Sequence, residues 1–180
     1  HTGSVTITDA PDVTQLKTIN AATTGAIVLN VTNGALSGTA ANLVLAFAGT
    51  MTTHTGSVTI TDAPNSTELI TINAATTGAI TLQVTNGALS DTAANLVLAF
   101  AGTMTTHTGS VTITDAPELT ELKTINAATT GAITLGDATA NYSGNAADLA
   151  AALSGTITTH TGTIIIEDAP NVTQLKTINS

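Results

Sequence analysis

"HTGSVTITDAP" opens the chain at residues 1–11 and returns inside "TMTTHTGSVTITDAP" at 50–64 and, letter for letter, at 103–117. A relaxed copy, "TITTHTGTIIIEDAP", occupies 156–170. This stretch decides the fold because it fixes a period. His1, His54, His107 and His160 are equivalent, 53 residues apart, and the register runs through the chain without a gap. A period of this size is the signature of stacked repeat architectures. The array divides into 1–53, 54–106, 107–159 and a partial copy at 160–180. We read it as one repeat array and, since it starts and stops inside the pattern, as a segment of a longer chain or filament.

Each repeat divides again into a half of about 22 residues, "GSVTITDAPDVTQLKTINAATT" at 3–24, and one of about 31, "GAIVLNVTNGALSGTAANLVLAFAGTMTTHT" at 25–55. Both open on Gly, alternate apolar and polar residues, then turn Ala- and Leu-rich. The alternating parts predict strands, with Val5 and Ile7 facing one way and Thr6 and Thr8 the other. The pattern recurs at Ile27/Leu29, Val58/Ile60, Ile80/Leu82, Val111/Ile113, Ile133/Leu135 and Ile164/Ile166. The remaining segments predict short helices. In "TDAPDVTQLKTIN", Asp9 is the expected N-cap and Pro11 fits the first turn, with Val13, Leu16 and Ile19 on one face. Pro64, Pro117 and Pro170 repeat that placement. In "LSDTAANLVLAF", Ser90 or Asp91 is the expected cap, and Gly49, Gly102 and Gly155 suit helix ends.

The expected fold is therefore an α/β solenoid: one parallel sheet of about seven short strands alternating with short helices, two coils per repeat. The alternative is an all-β right-handed solenoid in which the "QLKTIN" segments are further strands. A volume-limited interior is implied by one coupled change. Leu153 stands where Phe47 and Phe100 stand, and Tyr142 where Leu36 and Leu89 stand.

Composition excludes several functions. Three Lys, no Arg and twelve acids give a net charge of −9, which disfavours nucleic-acid phosphate and anionic membrane surfaces. No run of about 18 apolar residues occurs, so no membrane insertion is expected. Cysteine is absent, which removes disulfides and thiolate chemistry. No nucleophile elbow, phosphate loop or dinucleotide fingerprint is present, and near-identical copies offer no cleft where different groups converge. The chain reads as non-enzymatic, with no cofactor.

The histidines invite a metal reading, but equivalent rings two coils apart lie ~9.6 Å from each other on strand spacing, too far to share one zinc ion. They read as corner residues bonded to backbone or to neighbouring Thr. The Asp column, Asp9, Asp62, Asp115 and Asp168, reads as helix caps; its rival use is Ca²⁺ between coils, although neither the glycine-rich calcium nonapeptide nor an EF-hand loop occurs. The outward T-x-T pairs, Thr6/Thr8, Thr59/Thr61 and Thr112/Thr114, are the surface-binding candidates, with Thr81 and Thr134 between them. They resemble the threonine ranks of ice-binding β-solenoids over those tripeptides alone, interrupted at Val28, Asn30, Gln83, Gly136, Ile165 and Glu167. Sequons stand at Asn30, Asn65, Asn141 and Asn171.

The phrases "DTAANL", "ITDAP…INAATTG" and "TGAITL" resemble tandem repeats of very large secreted bacterial surface proteins of the adhesin-like, S-layer-like and RTX-associated type. The resemblance covers nearly the whole chain. It implies an extracellular or cell-surface location and a structural or adhesive role, with stacking end to end on further repeats or on another copy. The outward Thr-rich face supplies the alternative, a module binding ice, glycan or mineral.

Overall fold

A computed structural model describes residues 1–179. The chain forms two compact units. The first comprises His1–Thr85 with Ala101–Thr105; the second comprises Asn86–Phe100 and the described chain from Thr106 onward. Both are α/β, with very short parallel strands alternating with short helices.

The first unit contains β1 (Val5–Ile7), α1 (Val13–Ala22), β2 (Ile27–Leu29), β3 (Leu36–Gly38), α2 (Ala40–Ala46), β4 (Val58–Ile60), α3 (Ser66–Ala75) and β5 (Ile80–Leu82). The second contains β6 (Leu89–Asp91), α4 (Ala93–Ala99), β7 (Val111–Ile113), α5 (Leu119–Ala128), β8 (Ile133–Leu135), β9 (Tyr142–Gly144), α6 (Ala146–Ala152), β10 (Ile164–Ile166) and α7 (Val172–Ile178). The "QLKTIN" segments are helical, so the all-β alternative is overturned. The reason is local: Asp12 and Gln15 form a reciprocal capping box at the start of α1, as Asn65 and Glu68 do at α3 and Asn171 and Gln174 at α7.

The strands do not merge into a single sheet. Among the described residues they form four small parallel sheets, β1-β2, β3-β4-β5, β6-β7-β8 and β9-β10. The long half-repeat contributes two strands rather than the expected one. In the first unit, β2 pairs back onto β1, and β3 pairs forward onto β4. In the second, β8 and β9 divide the same two tasks. One sheet thus ends and the next begins inside each long half-repeat. Pairing runs at an offset of 22 residues, as in Leu36↔Val58 and Val58↔Ile80.

Two features set this close stacking. Gly78 opens a long half-repeat, and a Cβ built there would lie 1.7 Å from the Gly56 carbonyl oxygen; at Gly131 the distance to the Gly109 oxygen is 1.6 Å. Only a residue without a side chain lets the two backbones meet. The second feature is the core. Leu16, Leu43, Leu69 and Ile72 in the first unit, and Leu96, Leu122, Ile125 and Leu149 in the second, are wholly buried. The seven-residue helices are too short to persist alone. α2 is held through its buried Ala40, Leu43 and Ala46.

Caps differ from expectation in an informative way. Asp9 does not cap α1, and Pro11 precedes the helix; the N-cap is Asp12. Nor do Ser90 or Asp91 cap α4: they lie in β6, and Thr92 is the cap. Asp62 instead reaches the preceding half-repeat, where its carboxylate accepts the Ala40 N–H at the start of α2 (2.8 Å). Asp115 does the same for Ala93 at α4 (2.8 Å) and Asp168 for Ala146 at α6 (2.7 Å). Asparagine performs the reverse task at the other helix end. Asn20 donates to the carbonyls of Ala46 and Ala48 at the end of α2, and Asn126 to those of Ala151 and Ser154 at the end of α6. Gly49, Gly102 and Gly155, at φ of 73°, 74° and 77°, turn the chain out of the short helices.

Candidate functional site

The strand register places the threonines. Thr59 stands between Ser37 and Thr81 on β3-β4-β5, and Thr112 between Ser90 and Thr134 on β6-β7-β8. Ser37, Thr81, Ser90 and Thr134 are exposed; Thr59 and Thr112 are half-exposed. Each unit thus carries a rank of three outward hydroxyls, with neighbours ~4.8 Å apart. The serines of these ranks come from the strands that sequence reading did not find. Thr6 pairs with Val28, which is 40% exposed, so the first sheet has no continuous rank. On β9-β10 the corresponding pair is Ser143 and Ile165, which also breaks the rank. Thr8, Thr61 and Thr114 lie just beyond their strands, and the backbone N–H of Thr61 and of Thr114 donates to Gly38 and Asp91. A three-hydroxyl rank can hydrogen-bond a repeating polar surface; it offers no group that could act as base or nucleophile activator.

The histidine corners are built inward. His54 and His107 are buried. Nε2 of His54 lies 2.7 Å from the Gly34 carbonyl oxygen, and Nε2 of His107 2.7 Å from that of Gly87. A carbonyl only accepts, so Nε2 carries the proton. Nδ1 of each ring lies 3.2 Å from a hydroxyl, Thr76 for His54 and Thr129 for His107. That hydroxyl also lies 3.1 Å from the histidine's own carbonyl, so its single proton serves either that oxygen or Nδ1, and it accepts the N–H of Gly78 or Gly131. Each ring therefore ties its own half-repeat to the next, and the shared hydroxyl reaches the Gly that opens the one after. Burial pushes the His107 imidazole below its ordinary range, against the smaller raising effect of its bond to Gly87.

One aromatic ring covers each of these histidines. Phe47 lies 5.8 Å from His54 and Phe100 5.6 Å from His107, both tilted. At His160 the ring is Tyr142, stacked at 4.8 Å. The Phe-to-Leu and Leu-to-Tyr changes thus move the covering ring from the helix end to the strand. Tyr142 is buried, and its hydroxyl has no hydrogen-bond partner. Burial, with the charges of Asp137 and Glu118, pushes that phenol's pKa up.

Among the described residues no group of three metal-ligating side chains converges. Asp62, Asp115 and Asp168 spend an oxygen each on a helix N–H, while Asp9 lies exposed ahead of α1. The one ion pair found among the described residues, Lys123 with Asp148, joins α5 to α6 at the surface. No described helix is long and apolar enough to cross a membrane. No protein-family model, curated protein or solved structure matches the chain.

Proposed function

We propose that this chain is an extracellular structural repeat module, each unit a stretch of α/β solenoid, that stacks into a fibre, sheath, surface layer or adhesin stalk. The observation that supports it is the recurrence of one bonding scheme between half-repeats. The Gly contact, the His–carbonyl and His–Thr bonds, the Asp cap and the Asn cap return at equivalent positions, so half-repeats are built chiefly to bind other half-repeats. The low content of charged residues agrees with a scaffold. Electron microscopy of the native particle tests it. Regular rods or lattices built of these repeats are expected; isolated globules with no regular stacking would overturn the assignment.

The outward hydroxyl ranks favour a second reading, a module that binds ice, glycan or mineral through Ser37–Thr59–Thr81 and Ser90–Thr112–Thr134. Ice shaping and thermal hysteresis test the ice form. Replacing Thr59 and Thr112 by Val should change either activity; no effect of the parent chain at high concentration removes ice as the ligand.

A further inference from the structure

Cysteine and tryptophan are absent from the chain, so Met51 and Met104 carry its only sulfur atoms. Both occupy one place in the repeat, the segment that returns from the Ala/Leu helix to lie beside an earlier strand. Ile27 N–H donates to the Thr50 carbonyl (2.9 Å) and Thr52 N–H to that of Ile27 (3.0 Å). Ile80 binds Thr103 and Thr105 in the same way (2.8 and 3.0 Å). The third repeat keeps the scheme with Ile157 in place of methionine: Ile133 N–H donates to Thr156 (2.8 Å) and Thr158 N–H to Ile133 (2.9 Å). The backbone therefore does not need a thioether at this place. Met51, Met104 and Ile157 are all half-exposed.

Met51 lies in an open groove of about 510 Å³ between the end of α2 and α3, with Phe47, Ile70, Thr71 and Ala74 also in its walls. Phe47 is buried and Ala74 exposed, so the groove leads from the interior to solvent. A flexible thioether fills such an irregular gap well while it stays apolar. We propose that Met51 and Met104 are reversible oxidation sites whose substrate is hydrogen peroxide or an organic hydroperoxide, and that sulfoxide at Met51 loosens α3 from the end of α2.

A sulfur lone pair attacks one peroxide oxygen, and the S–O bond forms as the O–O bond breaks. Sulfur is oxidised by two electrons and the peroxide is reduced. The proton of the transferred oxygen passes to the departing one, which leaves as water or as an alcohol. The product puts a polar acceptor where an apolar group stood. The groove offers it little: the Thr71 hydroxyl already donates to the Thr67 carbonyl (2.9 Å). The sulfoxide oxygen therefore turns to water, and the side chain gives up its place beside Phe47 and Ile70. Ile157 has no lone pair to react, so the third repeat keeps its packing under the same oxidant.

The test exposes the full folded chain to hydrogen peroxide, locates the added oxygen by peptide mass mapping and follows amide hydrogen exchange. One oxygen each at Met51 and Met104 is expected, with exchange in α3 and at the Thr52 amide faster by roughly 5-fold or more. Exchange at the Thr158 amide should not change. Methionine sulfoxide reductases should return the rates to their starting values. Met51→Ile, the residue the third repeat carries at this place, should fold as the parent does and leave α3 indifferent to peroxide while Met104 still reacts. Methionines that react only after unfolding, or sulfoxide at Met51 with unchanged exchange in α3, would overturn the proposal. So would faster exchange in α3 of the peroxide-treated Met51→Ile chain. Neither outcome depends on whether the repeats stack into a fibre.

Discussion

Replacing Gly131 by Ala tests the stacking geometry most directly. The new Cβ would lie 1.6 Å from the Gly109 carbonyl oxygen and 2.5 Å from its carbon. Backbone carbonyls cannot swing aside as a side chain can, so the strands must part by more than about 1 Å to restore an ordinary contact near 3 Å. The bonds nearest the insertion are Thr130 N–H to the His107 oxygen (2.9 Å), His107 N–H to Ala128 (3.2 Å) and Val111 N–H to Ala132 (2.9 Å). Losing these three at about 1 kcal/mol each sets a cost of roughly 3 kcal/mol. Weakened packing around His107 and Thr129 raises it towards about 4, and the stiffer unfolded chain, with less entropy to lose, offsets up to ~1 of that. The net expectation is a loss of about 3 kcal/mol in urea denaturation. Hydrogen exchange should locate it at β7, β8 and the intervening corner. Gly38→Ala is the control, since its Cβ would meet only Val13 methyls, the nearest at 3.3 Å. A Gly131→Ala loss under ~1 kcal/mol, or a control equally damaged, would refute the claim that backbone approach sets the spacing.

Three further outcomes follow from the corners and caps. Because the folded His107 holds its proton less tightly than the ordinary value of 6.5, the unfolded chain binds more protons as pH falls; stability should therefore be full above about 6.5 and decline as pH drops towards the lowered folded value. His107→Gln should flatten that decline in urea midpoints taken across the window, and an unchanged slope would refute it. Asp115→Ala should cost about 1 kcal/mol by freeing the Ala93 N–H, with faster exchange at that amide rather than at α5; faster exchange confined to α5 would restore Asp115 to its own helix. Tyr142→Phe removes a buried hydroxyl that has no partner and should leave the melting temperature unchanged or raise it, and a clear drop would reveal a bond to that hydroxyl.

The repeat and the faces of seven strands were legible because alternation of β-branched residues survives in every copy. Short strands such as Leu36–Gly38 were not. "LSG" has neither length nor β-propensity, and it becomes a strand only by pairing with β4 in the next half-repeat. The caps were misread for a related reason. An Asp precedes Ala-Pro in every copy and so attracts the capping role, whereas the true cap position varies across the copies, as Asp12, Asn65, Glu118 and Asn171. The box partner three residues on, Gln15 or Glu68, was nonetheless a readable signal. What no local pattern encodes is a bond that spans 22 residues, and that is where Asp62 and His54 find their partners. The threonine ranks were half legible: Thr59/Thr81 and Thr112/Thr134 from alternation, their serine members only from the register.

The exchange of the ring that covers each histidine bears on how such arrays change. Unequal crossing-over between near-identical repeats shuffles DNA wherever two copies align. A junction outside the interval from Leu36 to Phe47, or from Tyr142 to Leu153, passes on one ring per histidine and leaves the interior volume intact. A junction inside it yields a repeat with both Tyr and Phe, or with two leucines. The first is overfilled and the second hollow. The twelve residues from Leu36 to Phe47, and their equivalents in each repeat, should therefore be inherited as a block, and the permissible breakpoints lie outside it.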